Sequence, residues 1–234
     1  MISIKEAKLI ILEHSRKVPV QPIPLAMALG STLAEDVYAR GGGSDCTARP
    51  LEVYSKGFEL TFDSIGLLAG LGHKQVEVYR QPTVGIIVTG RDPLQSKEFK
   101  LGQVRDSNSY ALTAALKQAR ITKINFYNGG DDLNSMTAIL SEALQHNDVL
   151  ILTCGAGASC YDFVLQAADG AGITQIFNKV RQKPGKPLYF GKTDQQLIFG
   201  LPGNSSLILD YFYQYVLPSI VKLNNYKDAL KRKN

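Results

Sequence analysis

Strand-like and helix-like patterns alternate through the second half of the sequence. Residues 84–88 form a continuous apolar run, which is expected of a strand buried on both faces of a parallel sheet. A half-buried strand pattern follows at 123–127 and a third strand pattern at 148–153, each after a helical pattern, at 109–119 and 133–146 respectively. Strand and helix therefore alternate in units of about thirty residues. This order predicts an α/β fold with a doubly wound, mostly parallel sheet and right-handed crossovers.

Two further apolar runs, at 187–191 and 197–201, flank a polar turn and predict a β-hairpin or a pair of neighbouring strands. The motif KPGKP precedes the first run, and LPGNSS follows the second. Gly203 allows backbone angles that are closed to other residues, and the three polar residues after it are good N-caps for an apolar helix at 206–217. That helix is expected to pack on the sheet or on a second copy of the chain.

The first third of the sequence predicts shorter elements. Ser3 and Glu6 form a capping box for a helix that ends near Val18, and three prolines then indicate an extended connection. The patterns that follow predict a short helix at 25–29, a strand at 33–39, a helix at 62–71 and a strand at 76–79. A glycine-rich stretch at 40–50 is typical of a linker. It is either a surface loop or the place from which something larger was removed, by evolution or by engineering.

These patterns predict three parts: an α+β segment over 1–81, an α/β domain over 82–223 and a basic tail over 224–234. A hydrophobic content of 44% is ample for a sizeable core. The net charge of +5 suits an anionic ligand. Nucleic-acid binding is not predicted, because the sequence has no basic stripe with interleaved aromatic residues. Three cysteines without metal-ligand spacing indicate a reducing, cytoplasmic compartment. Neither a signal peptide nor a membrane-spanning apolar run is present, so no membrane partner is expected.

Polar and glycine-rich loops follow the predicted strands. In open parallel sheets, ligands bind beyond the carboxyl ends of the strands. The loops at these ends are TGRD with RDSNS, GGDD, CGAGAS, KPGKP and LPGNSS. They match a ligand with a phosphate and several polar ring atoms, because CGAGAS can wrap a phosphate with backbone N–H groups and Lys183 and Lys186 add positive charge.

Five aspartates in or near these loops can hold a divalent cation, accept hydrogen bonds from a heterocycle, or serve only as helix N-caps: Asp92, Asp106, Asp131, Asp132 and Asp162. Nucleophilic catalysis is not predicted, because Cys160 near a helix start has no evident base among three scattered histidines. The dinucleotide-binding motif after a strand and the P-loop motif are both absent from the sequence.

The motifs together resemble the molybdopterin molybdenumtransferase family, which includes the E domain of gephyrin. The similar stretches occur in the family's order: SIKEAKLIILEH, PIPLAMALGSTLAEDVYA, GFEL, IGLLAGLG, VEVYRQPTVGIIVTG, DSNSY, GGDD, TCGAGASCYDFV, KPGKPLYFGK and GLPGN. The resemblance implies that residues 82–223 form a molybdopterin-binding α/β domain. It also implies a homodimer that inserts molybdate into adenylylated molybdopterin with release of AMP, with Mg²⁺ as cofactor.

The combination of strand-end position with the resemblance assigns roles to particular residues, and the positions carried over from the family's motifs are Asp106, Ser107, Asn108, Asp131 or Asp132, Asp162, Lys183, Lys186 and Pro202. It implies catalytic roles for Asp131, Asp132 and Asp162, and Mg²⁺ binding by Asp92, Asp131 and Asp162. It implies substrate binding by Thr89, Gly90, Asp106, Ser107, Asn108, Gly155, Gly157, Ser159, Lys183, Gly185, Lys186, Pro202, Gly203, Asn204 and Ser205.

The sequence also departs from the family's pattern. RGGGSDCTARPLEVYSK stands where the family has an inserted domain with a DNSAMDGYA-type motif, and the family's carboxyl-terminal β-barrel has no counterpart. Arg91 and Cys160 occupy positions that are commonly acidic, and Ser205 replaces a proline. We therefore expect a shortened member of the family. Three hypotheses stay open: an active transferase, a module that binds molybdopterin or a nucleotide without catalysis, and a dimerising relic.

Overall fold

The computed structural model describes residues 1–16, 18–39, 52–89, 107–129, 132–154, 158–183 and 187–223, with backbone only at 154 and 158–162. The chain divides into two compact units, Met1–Ser15 with Pro82–Ile220, and Arg16–Gln81 with Val221–Asn234. The predicted linker at 40–50 and the basic tail lie outside the described residues. None of the described helices has the length and apolar character needed to cross a membrane.

The described strands, in chain order, are β1 Val20–Pro24, β2 Val37–Tyr38, β3 Glu52–Tyr54, β4 Gln75–Tyr79, β5 Val84–Val88, β6 Ile124–Asn128, β7 Val149–Cys154, β8 Thr174–Lys179, β9 Pro187–Lys192 and β10 Leu197–Pro202. The α-helices are α1 Ile4–His14, α2 Phe62–Gly70, α3 Ser107–Gln118, α4 Leu133–His146, α5 Ala158–Gly170, α6 Ser205–Tyr211 and α7 Leu217–Leu223. A 3₁₀ turn covers Leu25–Met27, and a π turn over Phe212–Val216 joins α6 to α7.

The first unit is built on a six-stranded sheet with the order β6-β5-β7-β10-β9-β8. The first four strands in this order are parallel, and β9 and β8 continue the sheet with antiparallel pairings. Helices α4 and α5 pack together, with buried side chains over β5 and β7, whereas α3 packs against α6. The predicted mostly parallel α/β sheet and the predicted hairpin, formed by β9 and β10, are therefore confirmed.

The described residues of the smaller unit form two antiparallel ribbons, β1 with β4 and β2 with β3, together with the 3₁₀ turn and α2. Its core contains aliphatic residues from the 3₁₀ turn, α2 and β4, among them Leu25, Leu68 and Val78. Thr61 caps α2 through a reciprocal pair of hydrogen bonds with Ser64, so the start of this helix is fixed locally.

Several element boundaries differ from those predicted. Helix α1 ends at His14 because Ser15 leaves the helical conformation and its Oγ donates to the Ile11 carbonyl at 2.7 Å. The predicted extended connection contains the strand β1, whose prolines are tolerated in a two-stranded ribbon. Strand β8, which the sequence did not predict, has a mostly polar, partly exposed pattern at the edge of the sheet.

Candidate functional site

The carboxyl ends of the four parallel strands lie along one edge of the sheet. Helix α3 follows β5, α4 follows β6, α5 follows β7 and α6 follows β10, so all four helices begin beyond this edge. The connection from β8 to β9 reaches the same edge, because Lys179 pairs with Pro187 while Tyr189 pairs with Gly200 of β10. We refer to this region as the carboxyl edge.

Thr89 joins the ends of two neighbouring strands at the carboxyl edge. Its backbone N–H and its Oγ1 both donate to the carbonyl oxygen of Thr153, at 3.2 and 2.9 Å. The side chain is buried, so this residue fixes the point at which the chain leaves β5. Thr89, a predicted substrate-binding residue, thus lies at the carboxyl edge, and its hydroxyl donates to the neighbouring strand β7.

Gly129 lets the chain pass close to the end of β5 after it leaves β6. Its N–H donates to the Val88 carbonyl at 2.7 Å. A Cβ at this position would lie 2.9 Å from the same carbonyl oxygen and 3.1 Å from Thr89 Cα. Both contacts are with backbone, which cannot move aside as a flexible side chain can, so only glycine fits. The GGDD loop therefore begins against the end of β5, next to Thr89.

Asn108 connects two of the predicted binding motifs. It lies in the first turn of α3, and its Nδ2 donates to the carbonyl oxygen of Gly203 at 2.9 Å. These residues are 95 positions apart in the sequence. The bond holds the DSNS motif at the start of α3 next to the LPGN turn. The sequence predicts that both motifs lie at one edge of the sheet, but not that they are in contact.

Asn204 provides the cap for the helix that follows this turn. Its Oδ1 accepts from the backbone N–H of Ser206 at 3.0 Å and from the Ser206 hydroxyl at 2.8 Å. Of the three polar residues predicted as possible N-caps, Asn204 is therefore the one that performs this role. Pro202 and Gly203 are half-buried, whereas Asn204 and Ser205 are exposed at the edge.

Asp132 is the N-cap of α4. Its carboxylate accepts from the backbone N–H of Ser135 at 3.0 Å and from the Ser135 hydroxyl at 2.7 Å. These bonds, the backbone bond first, lower the pKa of Asp132 below its ordinary value. The carboxylate is thus ionised and exposed at the carboxyl edge. Of the roles that the sequence allows for the five aspartates, Asp132 has that of a helix N-cap.

Lys183 is exposed in the connection between β8 and β9, and Ser107 is exposed at the start of α3. Two predicted site residues lie on α5 as backbone only, Ser159 and Asp162. The others lie outside the described residues: Gly90, Asp92, Asp106, Asp131, Gly155, Gly157, Gly185 and Lys186. Within the part of the chain that is described, no three His, Cys, Asp or Glu residues are grouped as a metal site.

The described geometry suits an anionic ligand. The starts of helices leave backbone N–H groups unpaired by the helix, and the helix dipole adds partial positive charge at the same place. Helices α3 and α5 begin at this edge, where the exposed Lys183 adds a positive charge, whereas the starts of α4 and α6 are already capped by Asp132 and Asn204. Phosphate groups bind well in this arrangement, while the hydroxyl and amide side chains beside it can hydrogen-bond a polar ring.

Comparison with protein families gives a match over more than half of the chain. Residues 85–222 match the family described as "probable molybdopterin binding domain". The match covers the strands and helices that form the carboxyl edge.

Curated relatives carry the name molybdopterin molybdenumtransferase. The protein from Staphylococcus epidermidis strain RP62A is 32% identical over 172 residues, which are 73% of this chain and 41% of the relative. The protein from Bacillus subtilis strain 168 is 34% identical over 167 residues, which are 71% of this chain and 39% of the relative. The chain thus spans about two fifths of the length of the curated relatives it matches.

Solved structures share the fold. The molybdenum cofactor biosynthesis protein from Pyrococcus furiosus matches 97% of this chain and 74% of its own, with a TM-score of 0.71 and 24% identity. The molybdopterin biosynthesis moeA protein from Pyrococcus horikoshii OT3 matches 98% of this chain and 81% of its own, with a TM-score of 0.68 and 17% identity. At these identities the two structures establish the fold alone.

Proposed function

Because the chain belongs to the family of probable molybdopterin binding domains, we propose that it binds molybdopterin at the carboxyl edge and inserts molybdate into it during molybdenum cofactor biosynthesis. The names of its relatives support this reaction. The observation that carries the proposal is the hydrogen bond from Asn108 to Gly203, which joins two predicted binding motifs beside the starts of helices. We further propose that the chain acts in the cytoplasm as a homodimer.

Binding in this proposal rests on charge and on backbone donors. The N–H groups at the helix starts and the ammonium group of Lys183 neutralise the phosphate of molybdopterin, and Lys186 is predicted to act with Lys183. Asn108 and Thr89 act indirectly, since their described bonds fix the start of α3 beside the LPGN turn and the end of β5 beside β7. The pterin ring would lie over the strand ends, where amide and hydroxyl groups are available.

The transfer step in this proposal depends mainly on positioning and electrostatics. Adenylylated molybdopterin and molybdate are the substrates, and AMP is the product that leaves. Asp131, Asp132 and Asp162 are proposed to orient molybdate and the phosphoryl groups. Mg²⁺ would add positive charge at the phosphoryl oxygens, and its predicted ligands are Asp92, Asp131 and Asp162. The fit of that ion stays a prediction, because these three side chains are not among those described.

A second candidate function is binding without catalysis. It is favoured by the geometry of Asp132, the one predicted catalytic residue with a described side chain, because its carboxylate already serves as a helix cap. In this alternative the chain carries molybdopterin or a nucleotide to another protein. A third alternative, a dimerising relic, predicts a dimer that responds to neither ligand.

Two measurements on the intact chain separate these functions. Anaerobic calorimetry with molybdopterin, and separately with AMP, should show binding that weakens in Lys183→Ala and Lys186→Ala. Incubation with adenylylated molybdopterin, Mg²⁺ and molybdate should then yield active cofactor, with loss of turnover in Asp131→Asn, Asp132→Asn or Asp162→Asn. Binding without turnover would leave only the carrier function, and absence of both would refute the proposal.

A further inference from the structure

The segment that carries Lys183 is held in place by the amino terminus. Ile2 forms a parallel bridge with Val180, and the N–H of Arg181 donates to the Ile2 carbonyl at 2.8 Å. Val180 is fully buried, and the N–H of Gln182 donates back to its carbonyl at 2.9 Å. The contacts with Ile2 therefore hold the backbone at Val180 and Arg181, the two residues before Gln182.

Tyr215, from the π turn between α6 and α7, holds the side chain of Gln182, the residue before Lys183. Only 1% of Tyr215 is exposed. Its hydroxyl donates to Gln182 Oε1 at 2.6 Å, across 33 positions of sequence. Burial, with a smaller contribution from the neighbouring Tyr211, raises the pKa of Tyr215 to about 12. The phenol therefore keeps the proton that it donates at neutral pH.

The hydroxyl has a role that packing does not explain. The ring alone would fill the core, and a phenylalanine would do this without a polar atom to satisfy. The oxygen instead reaches out of the core to a partly exposed side chain at the carboxyl edge. π turns also occur frequently at functional positions, where they direct a side chain that a regular helix would place elsewhere.

We propose that Tyr215 is a positioning residue for molybdopterin binding, and that its bond to Gln182 fixes the backbone that presents Lys183 to the phosphate of the ligand. This inference rests on the proposed function, because Lys183 needs an anionic ligand on which to act. Tyr215 itself touches no substrate in this arrangement. It acts through Gln182, and the amino-terminal contacts of Val180 and Arg181 complete the support of the segment.

The size of the effect follows from the bond that is removed. A neutral hydrogen bond is worth about 0.5–1.5 kcal/mol, which corresponds to about a twofold to tenfold change in affinity. Tyr215→Phe should weaken binding of molybdopterin by this factor. Lys183→Ala should weaken it by about tenfold or more, because a charge-assisted contact with phosphate is lost.

The chain offers a matched control in the same π turn. The hydroxyl of Tyr213 donates to Gln118 Oε1 at 3.2 Å, and Gln118 is the last residue of α3, at the end of the helix away from the carboxyl edge. Tyr213→Phe thus removes a tyrosine–glutamine bond of the same kind without affecting the segment at Lys183. Anaerobic calorimetry with molybdopterin, well below the unfolding temperature, should give wild-type affinity for Tyr213→Phe.

A double-mutant cycle separates positioning from a general structural role. If Tyr215 acts through Lys183, Tyr215→Phe should change the affinity of the Lys183→Ala chain by less than about twofold. Amide hydrogen exchange of Val180–Lys183, measured without ligand, should be faster in Tyr215→Phe than in Tyr213→Phe. A variant that is merely less stable would lower the melting temperature while keeping wild-type affinity.

The possible failures are distinguishable. If the wild-type chain binds molybdopterin and Tyr215→Phe binds equally well, the positioning role is refuted and the proposed function stands. An undiminished loss of affinity in the Lys183→Ala background, or unchanged amide exchange at Val180–Lys183, refutes it as well. If the wild-type chain binds no molybdopterin, the proposed function fails and this inference fails with it.

Discussion

Removing the hydroxyl of Tyr189 should stabilise the protein. This side chain is 1% exposed, and its hydroxyl has no hydrogen-bond partner among the residues that the structure describes. A buried polar group left without a partner costs about 1–3 kcal/mol. Tyr189→Phe keeps the ring and removes that cost. Because 1 kcal/mol corresponds to about 2–4 °C in a chain of this size, the melting temperature should rise by about 2–12 °C.

The contact with Gly191 provides an independent check on the same hydroxyl. A Cβ at Gly191 would lie 2.5 Å from the Tyr189 oxygen and 2.8 Å from Ile173 Cγ2, so Gly191→Ala should cost about 1–3 kcal/mol through overpacking. With Tyr189→Phe present, the nearest ring atom becomes Cζ at 2.9 Å. The two changes should therefore couple favourably, by about 0.5 kcal/mol or more.

Thermal and urea unfolding of the intact chain, followed by near-UV circular dichroism, measure both effects. Tyr127→Phe is the matched control, because the Tyr127 hydroxyl accepts from Asn147 Nδ2 at 2.9 Å. Its removal should lower the free energy of unfolding by about 0.5–1.5 kcal/mol. A Tyr189→Phe chain that melts at or below the wild-type temperature, or purely additive effects with Gly191→Ala, would refute the reasoning.

Three further predictions concern stability. Gly129→Ala should lower the free energy of unfolding by about 1–3 kcal/mol, because the added Cβ meets the backbone of Val88. Gly170→Ala is the control in the same urea titrations and should be nearly neutral, because its Cβ meets only the side chain of Thr137, at 3.3 Å, and alanine is favourable in a helix. Asp132→Ala should lower the urea midpoint because it removes the cap of α4, and Asp132→Asn, which preserves the cap, should unfold like wild type. The folded-state pKa of Tyr215 is raised from 10.0 to about 12, so the stability that the neutral phenol contributes is complete below pH 10 and is lost as the pH rises towards 12. Urea midpoints should therefore fall between pH 10 and pH 12, and they should fall less in Tyr215→Phe.

Much of the fold is predictable because its signals are local. The apolar run of β5 and the helical periodicities of α3 and α4 each lie within a few turns of chain, and their alternation determines a parallel sheet. The caps are equally local. Ser3 with Glu6, and Asn204 after its turn, are found where the sequence predicts helix starts.

Two of the strands that the sequence did not predict, β1 and β8, depend on partners far away in the sequence. Strand β1 pairs with β4, so that Val20 lies opposite Tyr79, and its two prolines conceal the pattern. Strand β8 lies at the sheet edge, where few of its residues are buried and apolar alternation is weak. Neither has a strong local signal, because pairing rather than side-chain pattern determines them.

The candidate site was predictable as a set of loops but not as a set of contacts. The positions of Asn108 and Gly203 after strands, together with their residue types, predict that both lie at the carboxyl edge. Their hydrogen bond is seen only in the structure. Gln182 and Tyr215 were not predicted, since nothing in the sequence indicates that a π turn directs a buried tyrosine to the segment before Lys183.

A ¹H–¹⁵N NMR titration of the intact chain with molybdopterin, under anaerobic conditions, tests directly whether the carboxyl edge is the binding site. The amide signals of Thr89, Asn108 and Gly203 should shift together and saturate with one ligand per chain. Amides at the opposite ends of the strands, such as those of Thr83 and Asn147, should stay unchanged. Shifts confined to that opposite edge, or no saturable shift at any ligand concentration, would contradict the proposed site and function.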